Sequence, residues 1–267
     1  MPPAASPTDW QDRVAQAIGP LGAVRTLSAN AWAVEAGGRT FVAKTGPGAR
    51  DEAEGLRRLR AVTFAPPVPE VVFADDDLVV TAAVEQAPRT PAHEDSLGRA
   101  LAALHAPRLE RWGGGSAWIG NCRVDASTWP DGAAFYGARL GELAARCGLD
   151  EAVGRIVTRL PDLLPAGGPA LLHGDLWWGN VLFGADGRAW LIDPSVHGGH
   201  PEEDLAMLGL FGTVPDRLLA SYQEMNPLQE GWQERVALFQ LYPLLVHAVL
   251  FGGGYRSQAE AVARRYS

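Results

Sequence analysis

Apolar residues recur along this chain with two periods, and the change falls near residue 88. Trp10, Val14 and Ile18 are spaced for a short helix that Gly19-Pro20 ends. Residues 22–28 and 31–36 read as short strands around a polar corner, Ser28-Ala29-Asn30. Gly37-Gly38 then reads as a hairpin turn into a third strand, Thr40 to Lys44. Alternation places Phe41 and Ala43 on one face of that strand, with Val42 and Lys44 on the other. A Gly-Pro-Gly break precedes a helix expected from about Asp51 to Ala61, with Leu56 and Leu59 as its apolar stripe. Glu52 lies one turn upstream on the same face, whereas Glu54 is about 200° round and points away. Pro66, Pro67 and Pro69 mark a loop. Strands are expected over 70–74 and 78–84, with Asp75-Asp76-Asp77 as a solvated turn between them.

From Pro88 onward the helical period dominates. Leu97, Leu101 and Leu104 form a stripe ending at His105, and an irregular Gly/Trp-rich stretch follows from Arg111 to about Asp131. Helices are expected over 135–147, 152–160, 204–210, 217–222 and 231–251, the last kinked at Pro243. Among them stands one compact β island of Ala170–Leu172, Val181–Phe183 and Ala189–Ile192. The layout is therefore α+β: a small sheet lobe with one helix over residues 1–84, a short crossover, and a larger, mainly helical lobe over 85–267.

Composition narrows the class. The 267 residues are 47% hydrophobic and 20% charged, which is ordinary globular usage. A net charge of −8 leaves no basic field for a nucleic-acid backbone. Cys122 and Cys147 match no zinc spacing and suit a reducing compartment. Met1 to Pro7 lacks the pattern of a secretory signal. The apolar stretch Tyr242–Phe251 spans about ten residues against the ~20 that a bilayer requires. The expectation is a cytoplasmic protein with neither nucleic acid nor membrane as partner; the oligomeric state is not legible. Of 23 basic residues, Lys44 alone is lysine. A guanidinium substitutes poorly where a compact charge on a slim stem must reach one phosphate oxygen, so Lys44 is a candidate for that task.

The chemistry-bearing residues cluster at the β island. His173-Gly174-Asp175-Leu176-Trp177-Trp178-Gly179-Asn180 and Ile192-Asp193-Pro194 place Asp175, Asn180 and Asp193 together at strand ends. Two carboxylates and an amide oxygen are hard donors suited to Mg²⁺ shared with substrate phosphates. Asp175 can face a substrate hydroxyl while Asn180 and Asp193 face the metal. Lys44, held by an ion pair with Glu52, supplies the positive charge that nucleotide phosphates need. Positioning, charge neutralisation and a hydroxyl acceptor are the parts of phosphoryl transfer.

These residues resemble a known family. His173-x-Asp175 with Asn180 and Asp193 is similar to the catalytic and metal loops of the protein-kinase-like superfamily, in its small-molecule branch. HGDLWWGN (173–180), IDPSVHGGHPEEDLA (192–206), LFG (210–212) and AWIGN (117–121) resemble the fructosamine kinase, or ketosamine kinase, family. So do Trp129 and the tail with Leu241–Leu245, His247 and Phe251-Gly252. The resemblance runs along nearly the whole chain and implies a bilobal protein-kinase-like fold. It implies ATP and Mg²⁺ as cofactors and phosphorylation at the sugar 3-hydroxyl of a free or protein-bound ketoamine, in deglycation. It implies Asp175 as catalytic base and Asn180 and Asp193 as Mg²⁺ ligands. Lys44, paired with Glu52, would hold the ATP phosphates, and the backbone of Val80, Thr81 and Ala82 would bond the adenine. Asp204 corresponds to an acid that braces the catalytic loop. Glu202 or Asp125 would neutralise the substrate ammonium.

Several positions depart from the family pattern. The turn at Leu27–Asn30 lacks the family's glycine, leaving Ser28 and Asn30 to meet phosphate. Ser195 replaces the usual alanine, and His197 stands where an aromatic residue is common. Trp177 and Trp178 are open between sugar stacking and structure, while His105 and His247 read as core histidines. A kinase of another hydroxylated amine and a nucleotide-binding pseudokinase are the nearest alternatives. A metallohydrolase using His173, Asp175, His197 and His200 would leave Lys44, Glu52 and Asn180 without a task.

Overall fold

A computed structural model describes residues 9–266; the Met1–Pro7 segment lies outside them. Helix α1 (Asp9–Ile18) buries Trp10 and Val14 and stops where Gly19 takes a φ of 94°. Strands β1 (Leu21–Ser28), β2 (Ala31–Ala36) and β3 (Arg39–Thr45) form a meander, and the β2–β3 turn is Gly37-Gly38, both at positive φ as a tight hairpin demands. Helix α2 (Ala49–Arg60), β4 (Val71–Ala74) and β5 (Leu78–Ala82) complete the small lobe. Its antiparallel order is β1-β2-β3-β5-β4, so β3 and β5 are interior strands. Phe41 and Ala43 enter the core, as alternation predicts. The Asp75–Asp77 turn is pinned as well as solvated: Arg13 reaches Asp75 at 3.2 Å and Asp77 at 2.7 Å, and Arg50 reaches Asp76 at 2.7 Å.

The chain crosses to the large lobe and enters α3 (Pro91–His105), whose first turn is closed by Thr90 and His93 in a reciprocal cap. The stretch expected to be irregular contains four two-residue strands: β6 (Trp112–Gly113), β7 (Trp118–Ile119), β8 (Cys122–Arg123) and β9 (Thr128–Trp129). Next come α4 (Gly132–Cys147), α5 (Asp150–Val157), α6 (Leu160–Leu163) and β10 (Ala170–Leu172). Strands β11 (Val181–Phe183), β12 (Ala189–Leu191) and β13 (His197–Gly199) lead into α7 (Glu202–Leu208), α8 (Asp216–Gln223), α9 (Trp232–Phe251) and α10 (Gly253–Tyr266).

Three expectations are corrected here. The single β island is two sheets: β11 pairs only with β12, while β10 pairs with β13, which the sequence disguised as a glycine loop, and β6 and β9 extend that sheet. Helix α10 escaped the periodic reading because its buried residues are small, Ala259 and Ala263. Helix α9 matches the helix expected over 231–251, but the apolar stretch read as about ten residues belongs to a 20-residue helix with the length and composition of a membrane span. Half of that window is buried, and α9 packs on α4, α7 and α10 as a core helix. Its hydrophobicity therefore has a partner inside the lobe.

Candidate active site

Lys44 stands on the cleft face of β3, where alternation puts it, and Glu52 projects from the first turn of α2. Their charges meet at 2.8 Å. Lys44 Nζ also lies 3.0 Å from Asp193 Oδ1 of the large lobe, so the ammonium joins the two lobes. Burial works against its charge, yet Glu52 and Asp193 together lift its pKa to about 12. It stays protonated.

Asp175 follows β10 and lies on a loop tied from below. Asp204 accepts from the amides of His173 at 2.8 Å and Gly174 at 2.9 Å, and His105 Nε2 lies 3.2 Å from the same carboxylate. The bracing role expected of Asp204, and the buried place expected of His105, are visible in these bonds. His173 supports the loop: Nε2 faces the Ile192 carbonyl at 2.9 Å and Nδ1 accepts from the Asp175 amide at 3.3 Å. Gly174 has a φ of 79°, and a Cβ there would stand 2.0 Å from the Ser195 carbonyl. Only glycine lets the catalytic loop lie so close to the 193–195 turn. Asp193 itself adopts a φ of 54°, a left-handed conformation that aspartate tolerates better than most residues.

Asn180 ends a short 3₁₀ turn and donates from Nδ2 to the Asp175 carbonyl at 2.9 Å and to its carboxylate at 3.2 Å. Its amide oxygen has no hydrogen-bond partner among the described residues. Burial first, then the charge of Asp193, pushes the Asp175 carboxyl to about 7 against the opposing pull of Asn180 and Lys44. Burial also lifts Glu52 to about 7, with Lys44 opposing and Asp193 adding to the rise. Glu52 and Asp193 thus share one ammonium, with the Asp175 carboxyl nearby. The surplus negative charge, with the Asn180 oxygen beside it, is a donor set that fits a divalent cation.

The backbone expected to meet adenine is engaged in the sheet. Val80, Thr81 and Ala82 sit in interior strand β5, where β3 and β4 take their backbone groups. The Ala82 amide goes to the Glu70 carbonyl at 2.9 Å and that of Ala83 to Thr40 at 3.0 Å. Among the described residues, the amides of Val84 and Glu85, just past the strand, have no backbone partner. Thr81 and Ala82 still line the cleft wall.

Other sequence candidates are sorted by their contacts. Glu202 is held by Arg235 at 2.6 Å, and Asp125 accepts from Ser127 and Trp129, so neither is free for a substrate ammonium. The Asn30 amide is bound to the Thr45 carbonyl at 2.7 Å and fixes the glycine-free turn to the end of β3. Both ring nitrogens of His197 are engaged, with Glu203 and the Ser195 carbonyl. Trp178 packs under Arg89, 4.0 Å from the guanidinium, and is structural. Trp177 is 38% exposed and meets Phe211 edge-on. His247 is only partly buried and sits among Phe211, Phe251 and Tyr255. Sequence reasoning missed Asp51, Trp118 and Asn121, which border the same catalytic cluster. The AWIGN segment was the available signal.

The family model for fructosamine kinase matches residues 29–266. The chain belongs to the fructosamine kinase family. Among its relatives in this family, a probable ketoamine kinase of Thermus thermophilus is 37% identical over 225 residues, 80% of this chain and 83% of the relative. A crystal structure from Thermobifida fusca, described as a fructosamine-3-kinase, superposes with a TM-score of 0.87 at 36% identity, covering 96% of this chain and 97% of that one. The fold extends further: the choline kinase LicA of Streptococcus pneumoniae gives a TM-score of 0.68 at 15% identity, covering 96% of this chain and 99% of that one. This family member is thus a bilobal α+β protein of kinase-like architecture.

Proposed function

We propose that the protein is an ATP-dependent ketoamine kinase that phosphorylates the sugar 3-hydroxyl of fructosamines or ribulosamines. The family supports the kinase reading, and the observation that carries it is the convergence of Lys44, Glu52 and Asp193 beside Asp175. The nucleotide lies between the lobes in a cavity of about 900 Å³ that runs from the crossover to Lys44. Its adenine bonds the amides of Val84 and Glu85 and its phosphates take Lys44. Asp193 and the Asn180 oxygen would hold Mg²⁺, which when bound would neutralise phosphate charge.

Asp175 accepts the proton as the acceptor oxygen attacks the γ-phosphorus; the bond from that phosphorus to the bridging oxygen breaks and ADP departs. His173 and Asp204 keep the loop in place during this exchange. A phosphate on the carbon beside the ketone destabilises the adduct toward release of its amine, so the role is deglycation, in the cytoplasm.

A coupled ATP-consumption assay with Mg²⁺ tests the reading on fructosamines and ribulosamines against choline, aminoglycosides and homoserine. A ketoamine should give the highest kcat/KM, with phosphorus NMR locating the phosphate on O3. A win by choline or an aminoglycoside would overturn the substrate.

A further inference from the structure

Two cavities meet at the ion-paired lysine. The larger one just described is bounded at its inner end by Lys44, Glu52 and Asp193. A second, of about 280 Å³, continues on the far side of those residues toward the start of α2 and the β7–β8 hairpin. Asp175 lines only the second. In-line phosphoryl transfer needs the attacking oxygen opposite the departing one. With the nucleotide entering from the crossover, the attacking oxygen must come from the side where the base stands.

We propose that this smaller cavity is the acceptor subsite, with Asp51 receiving the acceptor's protonated amine and Trp118 and Asn121 bounding its polyol. The proposal rests on the kinase reading above and deepens it.

The large lobe builds the outer wall of this cavity by reaching up to the small lobe. The Ala117 amide donates to Asp51 Oδ2 at 2.8 Å, the Ser195 hydroxyl donates to the Trp118 carbonyl at 2.9 Å, and the Ser116 amide donates to the Val196 carbonyl at 2.8 Å. Trp118 packs on Gly48, where a Cβ would stand 3.0 Å from the tryptophan's own Cβ. Asn121 is at the tip of the two-residue turn between β7 and β8 and is exposed at the cavity mouth. An aromatic ring beside carboxylate and amide groups matches the alternating apolar faces and hydroxyls of a sugar.

Charge selects further. Asp51, Glu52, Asp175 and Asp193 line the cavity against the single ammonium of Lys44, which Glu52 and Asp193 already share. Asp51 Oδ2 takes the Ala117 amide and its other oxygen has no hydrogen-bond partner among the described residues, so a cationic acceptor is favoured over a neutral or anionic one.

The test is steady-state kinetics of the full chain on a ketoamine with a basic secondary amine and on its N-acylated, uncharged analogue. Asp51→Asn retains an oxygen for the Ala117 amide, so the wall stays docked. Its KM for the basic ketoamine should rise about tenfold, the size of one lost charged hydrogen bond, while the KM for ATP stays within twofold. The preference for basic over acylated acceptor should fall toward one. Asn121→Trp, which narrows the mouth, should raise both acceptor KM values at least severalfold and leave that of ATP in place.

A preference that persists in Asp51→Asn, or acceptor KM values equal to wild type in both variants, would overturn the subsite and leave the kinase reading standing. If wild type instead phosphorylates another hydroxylated amine, the ketoamine reading fails, and the same ratio of acceptor to ATP effects on that amine decides the subsite.

Discussion

The small lobe holds its functional charge with other charges, whereas the large lobe holds its own mainly with backbone hydrogen bonds. Lys44 rests between Glu52 and Asp193 at 2.8 and 3.0 Å and remains 27% exposed to the cleft. Asp175 rides on a loop whose His173 and Gly174 amides end on Asp204, and whose His173 carbonyl accepts from the Ser195 amide at 2.9 Å. An ion pair at the edge of a cleft can exchange partners when a phosphate arrives, because incoming charge replaces outgoing charge. A loop fixed by buried amides has no such alternative, since an orphaned amide costs on the order of 1–3 kcal/mol. The adaptable half of the site is therefore the small lobe, and the pre-set half is the large one.

The largest expected effect tests the pre-set half. Asp175→Asn keeps an oxygen for the Asn180 amide, so the loop should survive. Removing the base should lower kcat by roughly 10²- to 10⁴-fold. Nucleotide affinity, measured by fluorescence titration, should change little because Asp175 does not line the larger cavity. A kcat within tenfold of wild type would show that this loop is rigid for some purpose other than proton transfer.

The adaptable half should be sensitive to shape at constant charge. Lys44→Arg keeps the cation but spreads it over a planar fork too broad for a position shared by Glu52 and Asp193. We expect kcat/KM for ATP to fall about tenfold or more, with the loss in turnover as well as in binding. Wild-type kinetics in this variant would mean that any cation at the end of β3 suffices, and the contrast between lobes would weaken.

The two halves were also unequally legible in the sequence. Lys44 and Glu52 could be placed from strand alternation and helical spacing, because both elements are amphipathic and the short-range period determines which face meets the cleft. Asp175, Asn180 and Asp193 were legible through their motif. The two-sheet arrangement around them was not, because β6, β9 and β13 are too short to carry a period and are joined by pairing between residues far apart in the chain. The end of β5 was not legible for a related reason. Strand periodicity does not report where pairing stops: β5 ends at Ala82, and the Ala83 amide makes one more bond, to the Thr40 carbonyl of β3. Asp51 was hidden altogether, since its significance depends on a hairpin from the other lobe.

The smallest effect concerns pH, where Glu52 in the small lobe and His200 in the large lobe have opposite signs. Glu52 is lifted to about 7, above its unfolded value, so its contribution to stability is full at low pH and is lost as pH rises through 7. His200, beneath the large-lobe site, is displaced the other way. Burial first, then the positive charges of Arg108 and Arg235, lowers its pKa to about 3. The neutral ring stacks on Phe239 at 5.6 Å, and its Nδ1 accepts from the Glu202 amide at 3.3 Å.

With a folded pKa below the unfolded value of about 6.5, its contribution is complete above that pH. It is lost by up to about 1.4 kcal/mol per pH unit on acidification. His200→Asn retains an acceptor for the Glu202 amide without the titration. Between pH 7 and 5.5 the variant's Tm should therefore fall less than that of wild type, by roughly 2–4 °C for a chain of this size. Parallel Tm–pH curves would move the acid sensitivity elsewhere and remove the large-lobe side of the contrast, whereas a flatter curve in this variant alone assigns it to this imidazole.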